Sequence, residues 1–260
     1  MKGKHIIIIL AFILVSGLLF TSCVRINNKN VSIGKSVYRY DNGGKYSIGN
    51  GAVSASKVKN LEIDWVSGDV TVTYGNGDDI SFSESFKGDL SEDHLLRWYL
   101  DGSTLRIKFQ KSGISKGLNE GKNLVVVVPK GFVFDDVDLD CVSSDFICEV
   151  EALEYDVDTV SGEIEISASR TRSVDVDSVS GDCTLRMGVC PDEVKMNTVS
   201  GSIYLLIPSD SGFTAEISTV SGKINCSIPV TTNNKKMVAG NGASKIRLSS
   251  VSGSLNISGI

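Results

Sequence analysis

The apolar residues of this chain follow a two-residue alternation that breaks and restarts at a recurring tripeptide, Val-Ser-Gly. It begins at Val66, Val160, Val179, Val199, Val220 and Val251, with a degenerate copy at Val142-Ser143-Ser144. From Val142 onward the steps are 18, 19, 20, 21 and 31 residues. Aligned on the valine, the copies form columns. Three residues before it stand Ile63, Leu139, Val157, Val176, Met196, Ile217 and Leu248; four after it stand Val70, Phe146, Ile164, Cys183, Ile203, Ile224 and Leu255. Each flank has the period of a strand with one buried face. Buried positions fall at odd offsets before the valine and at even offsets after it, so one residue of slip marks a corner. Glycine suits that corner because it accepts positive φ without a Cβ clash. Each repeat reads as strand, corner, strand and return.

One such unit cannot bury its own apolar row. Parallel stacking at about 4.8 Å buries a continuous column and pairs the backbone groups. The period near twenty therefore predicts an all-β chain, a parallel β-solenoid (β-helix) of roughly six rungs over residues 133–260. The 31-residue step holds an Asn-, Gly- and Lys-rich excursion, 231–244, expected to be a surface loop. Residues 53–132 contain further strand patterns and turn signals at Asn76-Gly77 and Asp101-Gly102. They are expected to form an N-terminal β-layer that caps the first rung, with Trp65 plugging the core, because an uncovered sheet edge recruits other chains. Cap and solenoid then make one continuous domain. Residues 24–52 are polar and read as a tether with a short strand near 45–48.

Residues 1–23 form a separate object. Lys2 and Lys4 precede an apolar run from Ile6 to Phe20, and Thr21-Ser22-Cys23 follows. This is the charged, apolar and small-residue order of a secretory signal. Cys23 after Thr-Ser resembles a bacterial lipobox, in which the cysteine is lipidated, although Phe20 stands where that pattern usually has Leu. The alternative is an uncleaved anchor helix, for which the run is slightly short. Both place the domain outside the cytoplasm and hold it to a membrane.

The charge of −5 becomes −7 once Lys2 and Lys4 leave with the signal, with 24 basic against 31 acidic residues. No basic stripe offers itself to nucleic acid. Beyond Cys23 the cysteines are Cys141, Cys148, Cys183, Cys190 and Cys226. An odd count with no Cys-x-x-Cys predicts free thiols, three of them apolar fillers in the buried columns. One histidine, His94, remains in the mature chain, and no catalytic or zinc-binding constellation surrounds it. It is expected to be an exposed residue.

The most pointed chemistry is acidic. Asp138 and Asp140, Asp156 and Asp158, and Asp175 and Asp177 occupy the same two outward columns on three successive rungs, with Asp135 and Asp136 beside them. Stacked like charges about 5 Å apart cost on the order of 1 kcal/mol per neighbour in water. A bridging Ca²⁺ or a cationic partner would relieve that cost; otherwise the columns form a solvated face. These six aspartates are the candidate cation site, and no other cofactor is expected. A second ladder, Thr159, Ser178, Thr198, Thr219 and Ser250, is expected to hydrogen-bond along the stack or to the corner backbone.

The run Ile-Asp-Trp-Val-Ser-Gly-Asp-Val-Thr-Val, the later Gly-Ser-Thr-Leu-Arg-Ile, the valine-rich strand ending at Pro129 and the repeated Val-Ser-Gly rungs together resemble the bacterial DUF4097 family over residues 58–260. That family carries the label "putative adhesin" and is related to toastrack and GIN-domain envelope proteins. The resemblance implies a bacterial extracytoplasmic, membrane-anchored structural or binding module without catalytic activity. Its partner would be a cell-envelope component, a glycan or a protein. It implies as an alternative an envelope-stress or signalling accessory. A polysaccharide-acting enzyme on a β-helix, with Arg170 and Arg172 near the aspartates, is a third reading resting on fold analogy.

Overall fold

The two flanks of each Val-Ser-Gly enter different sheets. In the computed structural model, which describes residues 24–26, 29–31, 37–114, 118, 120–233 and 236–260, the strand before each corner joins a 12-stranded sheet. The strand after it joins a 10-stranded sheet. The pairs are Asn60–Ser67 with Val70–Gly75, Val133–Ser143 with Phe146–Cys148, Glu151–Ser161 with Ile164–Ala168, and Ser173–Ser180 with Cys183–Met187. Glu193–Ser200 with Ile203–Ile207, Phe213–Ser221 with Ile224–Cys226, and Ser244–Ser252 with Leu255–Gly259 complete the stack. Neighbouring rungs pair in parallel in the register that alignment on valine predicts. Leu139 lies opposite both Ile63 and Val157, and Ile166 opposite both Cys148 and Leu185. The facing columns of the two sheets fill one core. The chain is an all-β parallel solenoid.

Three features of the stack differ from the reading along the chain. The Val66 copy is a full rung: it pairs directly with the Val142 rung, Trp65 opposite Cys141. Trp65 is buried but is not the last layer. The strand Thr104–Lys108 pairs with Asn60–Ser67 on its other side, and Asn123–Pro129 does the same for Val70–Gly75.

The last two rungs also stack out of sequence order. Ser244–Ser252 lies between Glu193–Ser200 and Phe213–Ser221, so the Val251 rung separates Val199 from Val220. The excursion explains how. Thr231–Asn233 and Lys236–Ala239 form antiparallel strands on the outer side of Phe213–Ser221, and a turn at Gly240 and Gly242 returns the chain to its inner side. Part of the expected loop is therefore sheet. In the inner place Leu248, Leu255 and Ile257 are buried, whereas Val220, on the rung outside it, is 84% exposed.

The polar segment before residue 52 also joins the fold. Ser47–Ile48 pairs with Arg97–Asp101 at one end of the larger sheet, and Gly51–Ser54 pairs with Asp79–Ser85 at one end of the smaller. Upstream, Val24–Ile26 and Lys29–Val31 form a separate two-stranded antiparallel sheet.

Candidate functional site

Backbone register places the six aspartates where the sequence columns put them. On the outer face of the larger sheet one column reads Arg106, Glu62, Asp138, Asp156, Asp175, Lys195, Arg247, Glu216, Lys236. Beside it runs Lys108, Asp64, Asp140, Asp158, Asp177, Asn197, Ser249. Both columns are acidic in the middle; basic side chains close the first at both ends and the second at one, its other end being Asn197 and Ser249. At one end Lys108 Nζ lies 2.6 Å from Glu62 Oε1 and 2.6 Å from Asp64 Oδ2, while Arg106 pairs with Glu62. At the other, Lys195 Nζ reaches Asp175 Oδ1 at 2.8 Å, and Asn197 Nδ2 donates to Asp177 Oδ1 at 2.7 Å. The columns are partly shielded: Asp177 is buried and the other five aspartates are half-buried. Asp136 extends the face opposite Asn60 and Glu154, whereas Asp135 is exposed and pairs with Lys59 at 3.9 Å.

This crowding has a titration consequence. Burial, then the charges of Asp64, Asp138 and Asp158, push the Asp140 carboxyl up to about 8, with Lys108 pulling the other way. Burial also works against the Lys108 charge, but Asp64 and Glu62 outweigh it and hold the ammonium above the ordinary lysine value. For Asp140 the folded pKa lies above the unfolded one, so the unfolded chain ionises first. Its contribution to stability is full below the ordinary carboxylate value of 3.8 and is lost as pH rises toward about 8. Asp140→Asn is expected to raise the melting temperature at pH 8 by several degrees and to flatten its fall between pH 5 and 8. Calorimetry across that range checks it; an unchanged profile refutes the buried-acid account.

The other sequence candidates are dispersed. Cys23 lies outside the described residues. Cys141, Cys148, Cys183, Cys190 and Cys226 are free; burial pushes the thiol of Cys148 up to about 11 and of Cys183 to about 12. Such thiols are poor nucleophiles at neutral pH. The hydroxyl ladder meets its expected role only in part: Thr159 Oγ1 donates to Ser161 O and Thr219 Oγ1 to Gly253 O, both at the corner backbone, whereas the buried hydroxyls of Thr198 and Ser250 find no hydrogen-bond partner among the described residues. His94 ends a 3-10 turn, Glu92–His94, and is half-buried rather than exposed, because its carbonyl accepts from Lys122 and its Nδ1 lies 2.8 Å from Ser91 Oγ. Arg170 and Arg172 are exposed in a return segment, with Arg170 N donating to Glu151 Oε2. Among the described residues no three or more His, Cys, Asp or Glu are grouped to hold a metal ion. No helix among them is long and apolar enough to cross a membrane.

The structure gathers one cluster that the polar reading of residues 24–52 passed over. Tyr40 and Tyr46 have ring centroids 4.8 Å apart, Tyr46 and Tyr99 5.6 Å, and Tyr38 and Tyr40 5.7 Å. The turn Gly43–Lys45 folds Tyr46 back beside Tyr40. It opens on Asn42, whose φ of 57° is the one positive value outside glycine among the described residues. Asparagine tolerates that conformation better than most residues. Three tyrosines within nine residues of a supposed tether were the signal, since aromatic rings are seldom spent on a solvated linker.

Residues 146–258 match the family model described as Toastrack DUF4097. The match runs from the strand after the Val142 corner to the end of the stack, and bears out the family read from the Val-Ser-Gly ladder. No curated protein matches the chain. Among solved structures, "a putative cell adhesion protein" from Clostridium sporogenes ATCC 15579 aligns with a TM-score of 0.52 at 10% identity, covering 83% of this chain and 100% of that one. "A putative adhesin" from Bacteroides fragilis NCTC 9343 aligns at 0.41 and 12% identity, covering 81% and 97%. At such identity the first likeness establishes a shared fold.

Proposed function

We propose that this chain, whose residues 146–258 match the Toastrack DUF4097 family model, is a membrane-anchored extracytoplasmic structural and binding module that performs no catalysis. The observation that carries the reading is the outer face of the larger sheet. Its carboxylates stand in register on adjacent rungs, Asp138 opposite Asp156 and Asp156 opposite Asp175, held there by continuous backbone pairing. A rigid acidic patch bordered by basic residues suits recognition of a cationic surface, where complementary charge sets orientation and encounter rate. Lys2, Lys4, the apolar run and Cys23 support delivery to a membrane.

Two measurements test the halves separately. Cells fed labelled palmitate are expected to label the wild-type chain and not Cys23→Ala, which leaves the membrane fraction; a labelled Cys23→Ala chain overturns the anchor. Binding of the chain to envelope extract is expected to weaken with added salt; at low salt Asp156→Asn is expected to bind several-fold more weakly than wild type and to respond less to salt. Binding indifferent to both salt and Asp156 overturns the acidic face as the contact.

A further inference from the structure

The clustered tyrosines take no part in the acidic face. Tyr40, Tyr46 and Tyr99 line an open cleft of about 190 Å³. Its polar lining comes from two places: Asp41 and Asn42 at the turn, and Asp101 and Arg106 on the hairpin Arg97–Asp101 and Thr104–Lys108. The cleft is smaller than the roughly 300 Å³ at which pockets for drug-sized ligands begin, so it takes one ring-sized unit. Tyr40 is only 7% exposed, and its hydroxyl has no hydrogen-bond partner among the described residues. Arg106 Nε donates to Asp101 Oδ2 at 3.3 Å, and its Nη1 pairs with Glu62. Those contacts use two of the five guanidinium N–H donors.

Three ligand chemistries match aromatic walls. A cation would sit in an aromatic cage, but Lys45 Nζ already stands in that place, 5.7 Å from the Tyr99 ring centroid. A polyproline segment docks on aromatic ridges and makes no use of a carboxylate–guanidinium pair. A sugar ring uses both kinds of surface. Its C–H face lies against an aromatic ring, and its hydroxyls, each donor and acceptor, exchange hydrogen bonds with Asp, Asn and Arg. We propose that this cleft binds a neutral pyranose unit of a glycan, with Tyr46 and Tyr99 as the stacking surface and Asp101 with Arg106 reading adjacent hydroxyls. The inference rests on the reading of the chain as a surface binding module and names a ligand class for it.

The test uses the full chain in detergent micelles and saturation-transfer NMR with three probes: methyl β-glucopyranoside, methyl β-galactopyranoside and methyl α-mannopyranoside. Wild type and Tyr204→Ala, a tyrosine on the smaller sheet, are expected to transfer saturation to at least one probe. Tyr99→Ala is expected to bind that probe about tenfold more weakly, a loss of about 1.4 kcal/mol. Asp101→Asn is the second disrupting variant, because its exposed side chain leaves folding intact, and it is expected to weaken the same probe. No transfer to any pyranoside, or transfer unchanged in both cleft variants, overturns the inference. Transfer to tetramethylammonium or to a proline-rich decapeptide in place of the sugars overturns it too. Binding to envelope extract is measured in parallel: extract binding without sugar transfer sinks this inference alone, and absence of both sinks the binding-module reading with it.

Discussion

Replacing Gly181 by alanine is expected to cost the fold more than about 4 kcal/mol, the range reserved for severe core or backbone damage. A Cβ built there lies 2.0 Å from the carbonyl oxygen of Gly162 in the preceding rung. The backbone φ of 122° is itself one that side chains rarely adopt. The obstacle is main chain held by sheet pairing, so it cannot swing away as a side-chain tip would. The contact recurs up the stack, Gly201 on Gly181, Gly253 on Gly201 and Gly222 on Gly253, which makes the corner glycines a column of touching backbones. Gly102→Ala is the control. Its φ of 64° is strained, but nothing lies within 4 Å, so the expected cost is about 1–2 kcal/mol. Urea denaturation of both variants measures the difference; equal losses would show that conformation rather than rung contact selects the glycine.

Lys122→Met is expected to destabilise by about 3–5 kcal/mol, because it strands a buried carboxylate. Lys122 is fully buried and its Nζ pairs with Glu84, itself buried, while donating to His94 O at 2.7 Å. The ammonium also faces two rings, 4.5 Å from the Phe109 centroid and 5.0 Å from that of Trp65. Trp65 Nε1 donates to the Lys122 carbonyl at 2.7 Å, and Glu84 Oε1 accepts from Leu96 N at 2.8 Å. One lysine thus ties the Val66 rung to the layer that covers it. Burial pushes its pKa down to about 8, with Glu84 pulling it back up, so charge retention depends on that partner. The double variant Lys122→Met with Glu84→Gln is expected to recover part of the loss, since the second change removes the orphaned charge. A thermodynamic cycle reads the coupling; additive losses would mean that Lys122 contributes by packing alone.

These two sites divide along the line between local pattern and three-dimensional context. The glycine column was legible in the chain because it repeats, and repetition reports that neighbouring units meet the same constraint. Lys122 was illegible: within Gly121-Lys122-Asn123 it looks like any loop lysine, and burial of a single charge leaves no period. The aspartate columns were legible as columns, but not their closure by Lys108 and Lys195. Lys108 comes from outside the Val-Ser-Gly repeats, and Lys195 stands in the aspartate column on a rung whose own residue there is basic. The tyrosine cleft was hidden because its parts come from a stretch of polar composition and from a hairpin some fifty residues further on.

The sequence by itself determined the strand pattern, the corners, the parallel stacking and the register, because period-2 burial and a recurring glycine admit few other arrangements. Tertiary structure alone decided the order of the last rungs. The Val220 and Val251 copies present the same columns, so either could pair with the Val199 rung through identical backbone bonds. What distinguishes them is the antiparallel pair Thr231–Asn233 and Lys236–Ala239, which covers Phe213–Ser221 from outside and carries the chain back to the inner side, where the Val251 rung pairs with Glu193–Ser200. The charged and aromatic sites were likewise decided by which distant segments the stack brings together, since pairing through backbone groups is blind to side-chain chemistry.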